Sequence, residues 1–291
     1  MVRTYGQLYQ DALHRLMQVE EEKYANQLTR ELLRSLSGKS RAEFLRDHDR
    51  EAPPELCQKV EDALQRLCHQ EPLAYVLGEW SFYGMDLYVD ENVLIPRDDT
   101  CALVDVALQR GKLLGENLQI LDLCTGSGCI GLALASRLKN AQVTLADISD
   151  GALAVAQKNV QRLGLRETVR CVRVDARSTA PDALGQFHMI VSNPPYISTA
   201  DMQMLDSSVK DFEPHLALHG GDDGLIFYRS IVKNFTKALR PGGLLAFEFG
   251  EGQGDEICRI MQAHGFTILD RVLDYNRTER ACLARYDRKE E

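Results

Sequence analysis

Apolar side chains recur every three or four positions through the first 72 residues, which is the spacing of amphipathic helices. Three such stripes are present, over residues 8–17, 25–36 and 56–67. Between the second and the third, Ser40 and Glu43 match the capping box that satisfies free N–H groups at the start of a helix. The pattern predicts an N-terminal helical bundle over residues 1–72, with the stripes facing a common core.

Residues 73–98 lose this helical spacing. Gly78 and Gly84 interrupt a stretch that is rich in aromatic and other strand-favouring side chains. We therefore expect a β-hairpin over 73–98 that links two domains. The acidic pair Asp98 and Asp99 then marks the start of a helix.

From residue 119 onward, short apolar runs alternate with helical stripes. The predicted strands are 119–123, 143–146, 169–174, 188–192, 244–249, 267–273 and 281–286. The predicted helices are 130–138, 152–163, 224–240 and 254–264. This alternation implies an α/β domain over residues 99–291, built on a mostly parallel, twisted sheet with helices on both faces.

Composition and charge narrow the class of protein. The chain has 291 residues, of which 44% are hydrophobic and 26% charged, as is typical of a soluble globular protein with two domains. The net charge of −9 argues against a broad nucleic-acid-binding surface, so no direct nucleic-acid partner is expected. No apolar run is long enough to span a bilayer and no signal-peptide pattern is seen, so no membrane association is expected either.

The cysteines indicate the compartment. All eight are scattered without a C-x-x-C spacing, as expected for reduced thiols in a cytoplasmic protein. Cys124 and Cys129 lie in a glycine-rich stretch and are interpreted as packing residues, so no metal site is predicted.

Ligands of open parallel sheets bind beyond the carboxyl ends of the strands. The residues at those ends are the 124–128 loop, Asp147, Asp175 and Asn193. Gly126 and Gly128 allow a tight turn and a close backbone approach to a ligand. A carboxylate at Asp147 can accept both hydrogen bonds of a ribose diol, although a helix N-cap is an equal alternative there. By itself, this arrangement also fits a dinucleotide site.

The sequence Asn193-Pro194-Pro195-Tyr196 carries the most specific chemistry. The two prolines end the preceding strand and hold Asn193 on a stiff backbone. The Asn193 amide oxygen and the Pro194 carbonyl are two acceptors that suit one planar NH₂ group, and Tyr196 offers a face for it to stack on. The alternative is a plain turn with an asparagine cap.

The order of these motifs resembles that of S-adenosylmethionine-dependent methyltransferases of the Rossmann-like class I. More narrowly, the chain resembles the glutamine N5-methyltransferases of translation termination. The segments that carry the resemblance are 72–84, 93–100, 121–135, 191–196 and 212–229. The resemblance implies methyl transfer from S-adenosylmethionine to the glutamine of the Gly-Gly-Gln motif in peptide chain release factors. It also implies that the N-terminal bundle docks the substrate and that the enzyme is a cytoplasmic monomer.

The resemblance also assigns roles to residues. The implied donor-binding residues are Cys124, Thr125, Gly126, Ser127, Gly128, Asp147, Ile148, Asp175, Ala176 and Asn193. The implied catalytic residues are Asn193, Pro194 and Tyr196. The implied substrate-binding residues are Asn193, Pro194, Pro195, Tyr196, Arg97 and Glu213, the last two with surface roles as alternatives.

Three positions depart from the family pattern. Asp98 and Cys101 replace a proline and a glutamate, which puts one contact of that segment in question. Cys124 stands where many members have glycine, so a positive φ is expected at this position only if the backbone is strained. Alternative functions are glutamine methylation of a ribosomal protein, methylation of an exocyclic amine in nucleic acid, and a non-enzymatic adaptor.

Overall fold

A computed structural model describes residues 3–287, which divide into two compact units. The first unit extends to Glu79 and also includes Asp206–Phe212, whereas the second contains Trp80–Leu205 and the chain from Glu213 onward. The predicted domain boundaries at residues 72/73 and 98/99 stay predictions. No helix within residues 3–287 has the length and apolarity that crossing a bilayer requires.

The first unit is helical. Its helices are α1 (Tyr5–Leu16), α2 (Glu22–Ser37), α3 (Arg41–Arg46), α4 (Pro54–Cys68) and α5 (Leu73–Leu77). The three apolar stripes supply its core, in which Leu8, Leu32 and Leu64 are completely buried. The capping box predicted at Ser40 and Glu43 is present at the start of α3.

The predicted hairpin over 73–98 is shorter in the structure. Its strands are β1 (Glu79–Phe82) and β2 (Met85–Tyr88), and α5 precedes them. Pro72 begins this helical turn, and Gly78, with a φ of 70°, ends it. Leu73 is buried among the helices of the first unit, so tertiary packing overrides the strand preference of this stretch.

The second unit is an α/β sandwich. Its remaining strands are β3 (Gln119–Leu123), β4 (Gln142–Asp147), β5 (Val169–Arg173), β6 (Phe187–Ser192), β7 (Leu239–Glu248), β8 (Phe266–Leu273) and β9 (Glu279–Tyr286). Its helices are α6 (Cys101–Leu114), α7 (Cys129–Arg137), α8 (Asp150–Arg162), α10 (His215–Leu218), α11 (Ile226–Phe235) and α12 (Gly254–Ala263). The short helix α9 (Ser207–Lys210) lies between α8 and α10 in the chain but belongs to the first unit. Strands β3 to β9 form one sheet in the order β5-β4-β3-β6-β7-β9-β8.

The pairing confirms the predicted mostly parallel sheet. Strands β3 to β7 run parallel, and β9 is antiparallel to both of its neighbours. Successive strand residues enter different cores: Val191 belongs to one apolar cluster and Ile190 to the other. Burial on both faces explains why these strands appear in the sequence as continuous apolar runs.

The order in which successive strands are added to the sheet reverses between β3 and β6. The chain passes from β3 outward to β4 and β5, and then returns to place β6 on the other side of β3. The Ser192 hydroxyl donates a hydrogen bond of 2.6 Å to the carbonyl oxygen of Leu123, which joins the two strand ends. The loop that begins at Cys124 and the turn that begins at Asn193 are therefore neighbours.

Candidate active site

A cleft opens at this carboxyl edge, entirely within the second unit. The site residues predicted from the sequence that line it are Arg97, Cys124, Thr125, Gly126, Ser127, Asp147, Ile148, Asp175, Ala176, Asn193 and Pro195. Gly128, Pro194, Tyr196 and Glu213 are not among its lining residues. Asn92, Thr100 and Phe227 line the cleft without having been singled out, although two of them lie in the segments that carry the family resemblance.

The loop after β3 has a left-handed backbone at three positions. Cys124, Gly126 and Gly128 have φ values of 60°, 55° and 85°. Cys124 therefore has the strained alternative, in which the presence of a side chain costs roughly 1–2 kcal/mol. The loop is fixed from the neighbouring strand, because the Gly126 N–H donates to Asp147 Oδ2 at 2.9 Å.

Asp122 in β3 holds the same loop in place through hydrogen bonds, and it was not predicted from the sequence. Its side chain is completely buried, and its Oδ2 accepts hydrogen bonds from Thr125 Oγ1 at 2.6 Å and from the Gly131 N–H at 2.9 Å. Its Oδ1 has no hydrogen-bond partner among residues 3–287. Burial raises the pKa of Asp122 to about 7, although the bonds from Thr125 and Gly131 oppose the shift. Its only sequence signal is an acidic residue inside an apolar run.

Asp147 is the last residue of β4 and faces the cleft. Besides the Gly126 N–H, it accepts the Ser149 N–H on Oδ1 at 3.0 Å. Ser149, and not Asp147, is the N-cap of α8, so the helix-cap alternative is excluded. Burial raises the pKa of Asp147 against the opposing effect of its backbone hydrogen bonds.

The turn at 193–196 is held in place by Gln253, the residue immediately before α12. Pro194 and Pro195 are buried, and the carbonyl oxygen of Tyr196 accepts a hydrogen bond from Gln253 Nε2 at 3.0 Å. The other amide atom of Gln253 accepts the Gly250 N–H at 2.9 Å. Burial raises the pKa of Tyr196 to about 12, so its hydroxyl stays protonated at neutral pH.

Arg97 and Glu213 form an ion pair in which only the arginine reaches solvent. The side chain of Glu213 is 2% exposed and that of Arg97 is 38% exposed. Glu213 also accepts the backbone N–H of Ile95 at 3.2 Å. Glu213 thereby connects the segment before α6 to the segment before α10. The predicted contacts of Arg97 and Glu213 with the substrate stay predictions.

Comparisons with known proteins match both units. A family model described as PrmC N-terminal domain matches residues 7–78, and one described as Methyltransferase small domain matches residues 107–221. The release factor glutamine methyltransferase of Geobacter sulfurreducens is 39% identical over 249 residues, which are 86% of this chain and 85% of that protein. Its counterpart in Clostridium acetobutylicum is 39% identical over 213 residues, covering 73% and 74%. The chain belongs to the release factor glutamine methyltransferase family.

This membership confirms the family resemblance seen in the sequence. The chain is an S-adenosylmethionine-dependent methyltransferase with the class I fold. A methyltransferase from Pyrococcus furiosus has the same fold, with a TM-score of 0.51 and 16% identity, over 78% of this chain and 100% of that one.

Proposed function

We propose that this methyltransferase transfers the methyl group of S-adenosylmethionine to the side-chain amide nitrogen of a glutamine in peptide chain release factors. The relatives that share most of its length carry that name. The observation that carries the proposal is the position of Asn193, which lines the same cleft as the glycine loop and follows a strand tied to it. An acceptor of amide N–H groups therefore lies beside the loop that suits the donor.

The donor half of the proposed site lies on β3, β4 and β5. The cleft-lining part of the 124–128 loop presents a tight, left-handed backbone to the methionine portion. Asp147 accepts the ribose hydroxyls with the acceptor capacity that remains beyond its two backbone bonds. Ile148, Asp175 and Ala176 line the cleft beside it and contact the adenine in this proposal.

The acceptor half lies on the turn after β6. An amide nitrogen is a poor nucleophile, because its lone pair is delocalised into the carbonyl group. Accepting its two N–H groups at Asn193 Oδ1 and at the Pro194 carbonyl would turn the lone pair toward the sulfonium methyl. The same acceptors strengthen as positive charge develops on nitrogen, which favours the transition state over the bound substrate. Tyr196, neutral and fixed by Gln253, supports the plane of the glutamine side chain.

Further parts of the proposal concern the partner and the setting. We infer that the target is the glutamine of the Gly-Gly-Gln loop, that the helical first unit docks the release factor, and that the enzyme acts as a monomer in the cytoplasm. The cysteines support the last point, because all eight are free in the described part of the chain.

Single-turnover methylation at saturating donor tests the role of Asn193. Asn193→Ala deletes one preorganised acceptor and should lower the rate roughly 10²-fold or more. Donor affinity should fall much less, because most of the proposed donor contacts lie on the loop after β3 and on Asp147. Asn276→Ala, at an exposed loop position, is the matched control and should methylate at the wild-type rate.

Mass spectrometry of the methylated release factor locates the product in the same assay. A folded Asn193→Ala enzyme with near-wild-type turnover would remove the amide-acceptor role. Methylation at a residue other than a glutamine would contradict the proposed function itself.

A further inference from the structure

Glu248 is a buried acid at the end of the strand next to Asn193. It is the last residue of β7 and is 2% exposed. Its Oε2 has no hydrogen-bond partner in the described structure. A buried carboxylate oxygen without a partner is costly, so it calls for an explanation.

The sheet register aligns Glu248 with Asn193. Ser192 on β6 pairs with Phe247 on β7 in a parallel ladder, so the following residues, Asn193 and Glu248, lie side by side at the strand ends. Paired residues of neighbouring strands project to the same face of a sheet. The side chains of Asn193 and Thr100 lie close enough to the Glu248 carboxyl group to favour its ionised form.

Among residues 3–287, no charged group forms an ion pair with Glu248. The positive charge of Arg280 acts on the Glu248 carboxyl group, but the Arg280 Nε lies 3.0 Å from Asp274 Oδ2 and 3.2 Å from Asp99 Oδ2. The backbone of Glu248 is fixed as well, because the Tyr228 hydroxyl donates to its carbonyl oxygen at 2.9 Å. Glu248 also interacts electrostatically with four other titratable groups, which are Tyr196, Tyr228, Cys101 and Cys129. All four are neutral at physiological pH, since burial raises the pKa of each.

An asparagine amide has two ends of similar shape and opposite hydrogen-bonding character. A half-turn of the Asn193 amide would present NH₂ instead of oxygen to the cleft. An NH₂ group there would repel the N–H groups of a substrate amide. An ionised carboxylate behind Asn193 can only accept, so it selects the orientation in which Nδ2 faces it and Oδ1 faces the cleft.

We propose that Glu248 is a positioning residue that holds the Asn193 amide with its oxygen toward the substrate nitrogen. The inference rests on the proposed function, in which Asn193 Oδ1 receives an N–H of the substrate. Glu248 itself does not touch the substrate in this proposal. Replacing Glu248 should therefore lower the rate of turnover and leave the affinity for the donor unchanged.

The first test is Glu248→Gln, which preserves volume but can offer Asn193 either a donor or an acceptor. Turnover of a release-factor substrate at saturating donor should fall at least tenfold, while the donor Kd measured by calorimetry should stay within about twofold. The control is Glu251→Gln, the same change at an exposed position three residues away, which should match the wild type in both measurements.

The second test is the pH profile of the wild-type enzyme. Burial raises the pKa of Glu248 to about 7, although Thr100, Arg280 and Asn193 oppose the shift. A protonated Glu248 can donate to Asn193 Oδ1 and favour the wrong orientation, so kcat should rise as pH increases through about 7. The rise should be absent in Glu248→Gln. The relative rise with pH should persist in Asp122→Asn, whatever the absolute turnover of that variant, because the substitution removes the other buried acid with a pKa of about 7.

The outcomes separate the two proposals. An active wild type with a flat kcat between pH 6 and 8, or a Glu248→Gln enzyme with unchanged turnover, would overturn the positioning role and leave the proposed function standing. A wild type that methylates no glutamine amide would overturn the proposed function itself.

Discussion

Cys124, which lines the cleft, has a left-handed backbone conformation that is unfavourable for a residue with a side chain. It is the one non-glycine residue among the three left-handed positions of the loop after β3. Its side chain is half-buried and packs against the apolar cluster on one face of the sheet. The loop therefore keeps a conformation suited to close ligand approach at the expense of stability.

Removing the β-carbon at this position should recover stability. Cys124→Gly should be more stable than Cys124→Ala by roughly 1 kcal/mol, because only glycine adopts a φ of about 60° without a steric penalty. Urea unfolding of the two variants measures the difference. The same pair at Cys171, in β5, is the control: there alanine should be the more stable variant. An advantage for alanine at both positions would show that Cys124 is not strained.

At the scale of elements, the turn at 193–196 is shaped by glycines from distant parts of the chain. A β-carbon on Gly220 would lie 2.7 Å from the Pro195 carbonyl oxygen, and one on Gly224 would lie 2.3 Å from the Tyr196 carbonyl oxygen. A β-carbon on Gly250 would lie 3.1 Å from the Tyr196 ring. The turn is thus enclosed closely enough to keep Asn193 at the edge of the cleft.

Gly224 offers a clean test of this enclosure. Gly224 and Gly164 have nearly equal φ values, 72° and 70°, but a β-carbon on Gly164 would meet nothing within 4 Å. Alanine at either position should destabilise the fold by about 1 kcal/mol through backbone strain. Only Gly224→Ala must also displace the Tyr196 carbonyl and its bond from Gln253, so only that variant should lose turnover, by tenfold or more. Parallel thermal melts and single-turnover assays distinguish the two effects, and equal turnover would refute the enclosure.

The sequence predicts elements well where the signal is local. Continuous apolar runs located all seven strands of the large sheet, and the strand-end rule located Asp147 and Asn193. It does not predict Glu248 or Gln253, because their importance comes from strand pairing and helix packing with residues more than fifty positions away. The sequence leaves the φ of Cys124 open, because tertiary contacts can override the steric preference of a single residue.

At the scale of the whole molecule, the chain passes between its two compact units three times. It leaves the first unit after Glu79, returns to it for Asp206–Phe212, and then re-enters the second. Within the first unit, the Ser207 hydroxyl donates to Gln70 Oε1 at 2.9 Å, so the returning segment is bonded to the helical part. Residues 206–212, which come later in the chain than the 193–196 turn, are therefore part of the fold of the first unit.

If the first unit docks the release factor, its exposed surface should control recognition of the protein but not of a peptide. Arg30 and Arg41 lie exposed beside a groove that includes Leu45, whose exposure is 62%. Arg30→Glu combined with Arg41→Glu should raise KM for an intact release factor severalfold and leave KM for a short glutamine peptide unchanged. Lys59→Glu, an exposed charge reversal on α4, is the control. Equal KM values for the double variant and the control would place docking elsewhere.

The distribution of the site along the chain has a consequence for biosynthesis. The glycine loop and Asp147 come from the middle of the sequence, whereas Glu248, Gly250 and Gln253 come from its last fifth. Translation delivers the amino-terminal part first. A polypeptide that stops before Glu248 thus has the residues proposed to face the donor but lacks those proposed to set the Asn193 amide and the Tyr196 turn. We therefore expect a polypeptide that stops before Glu248 to transfer no methyl group, although it contains the glycine loop and Asp147.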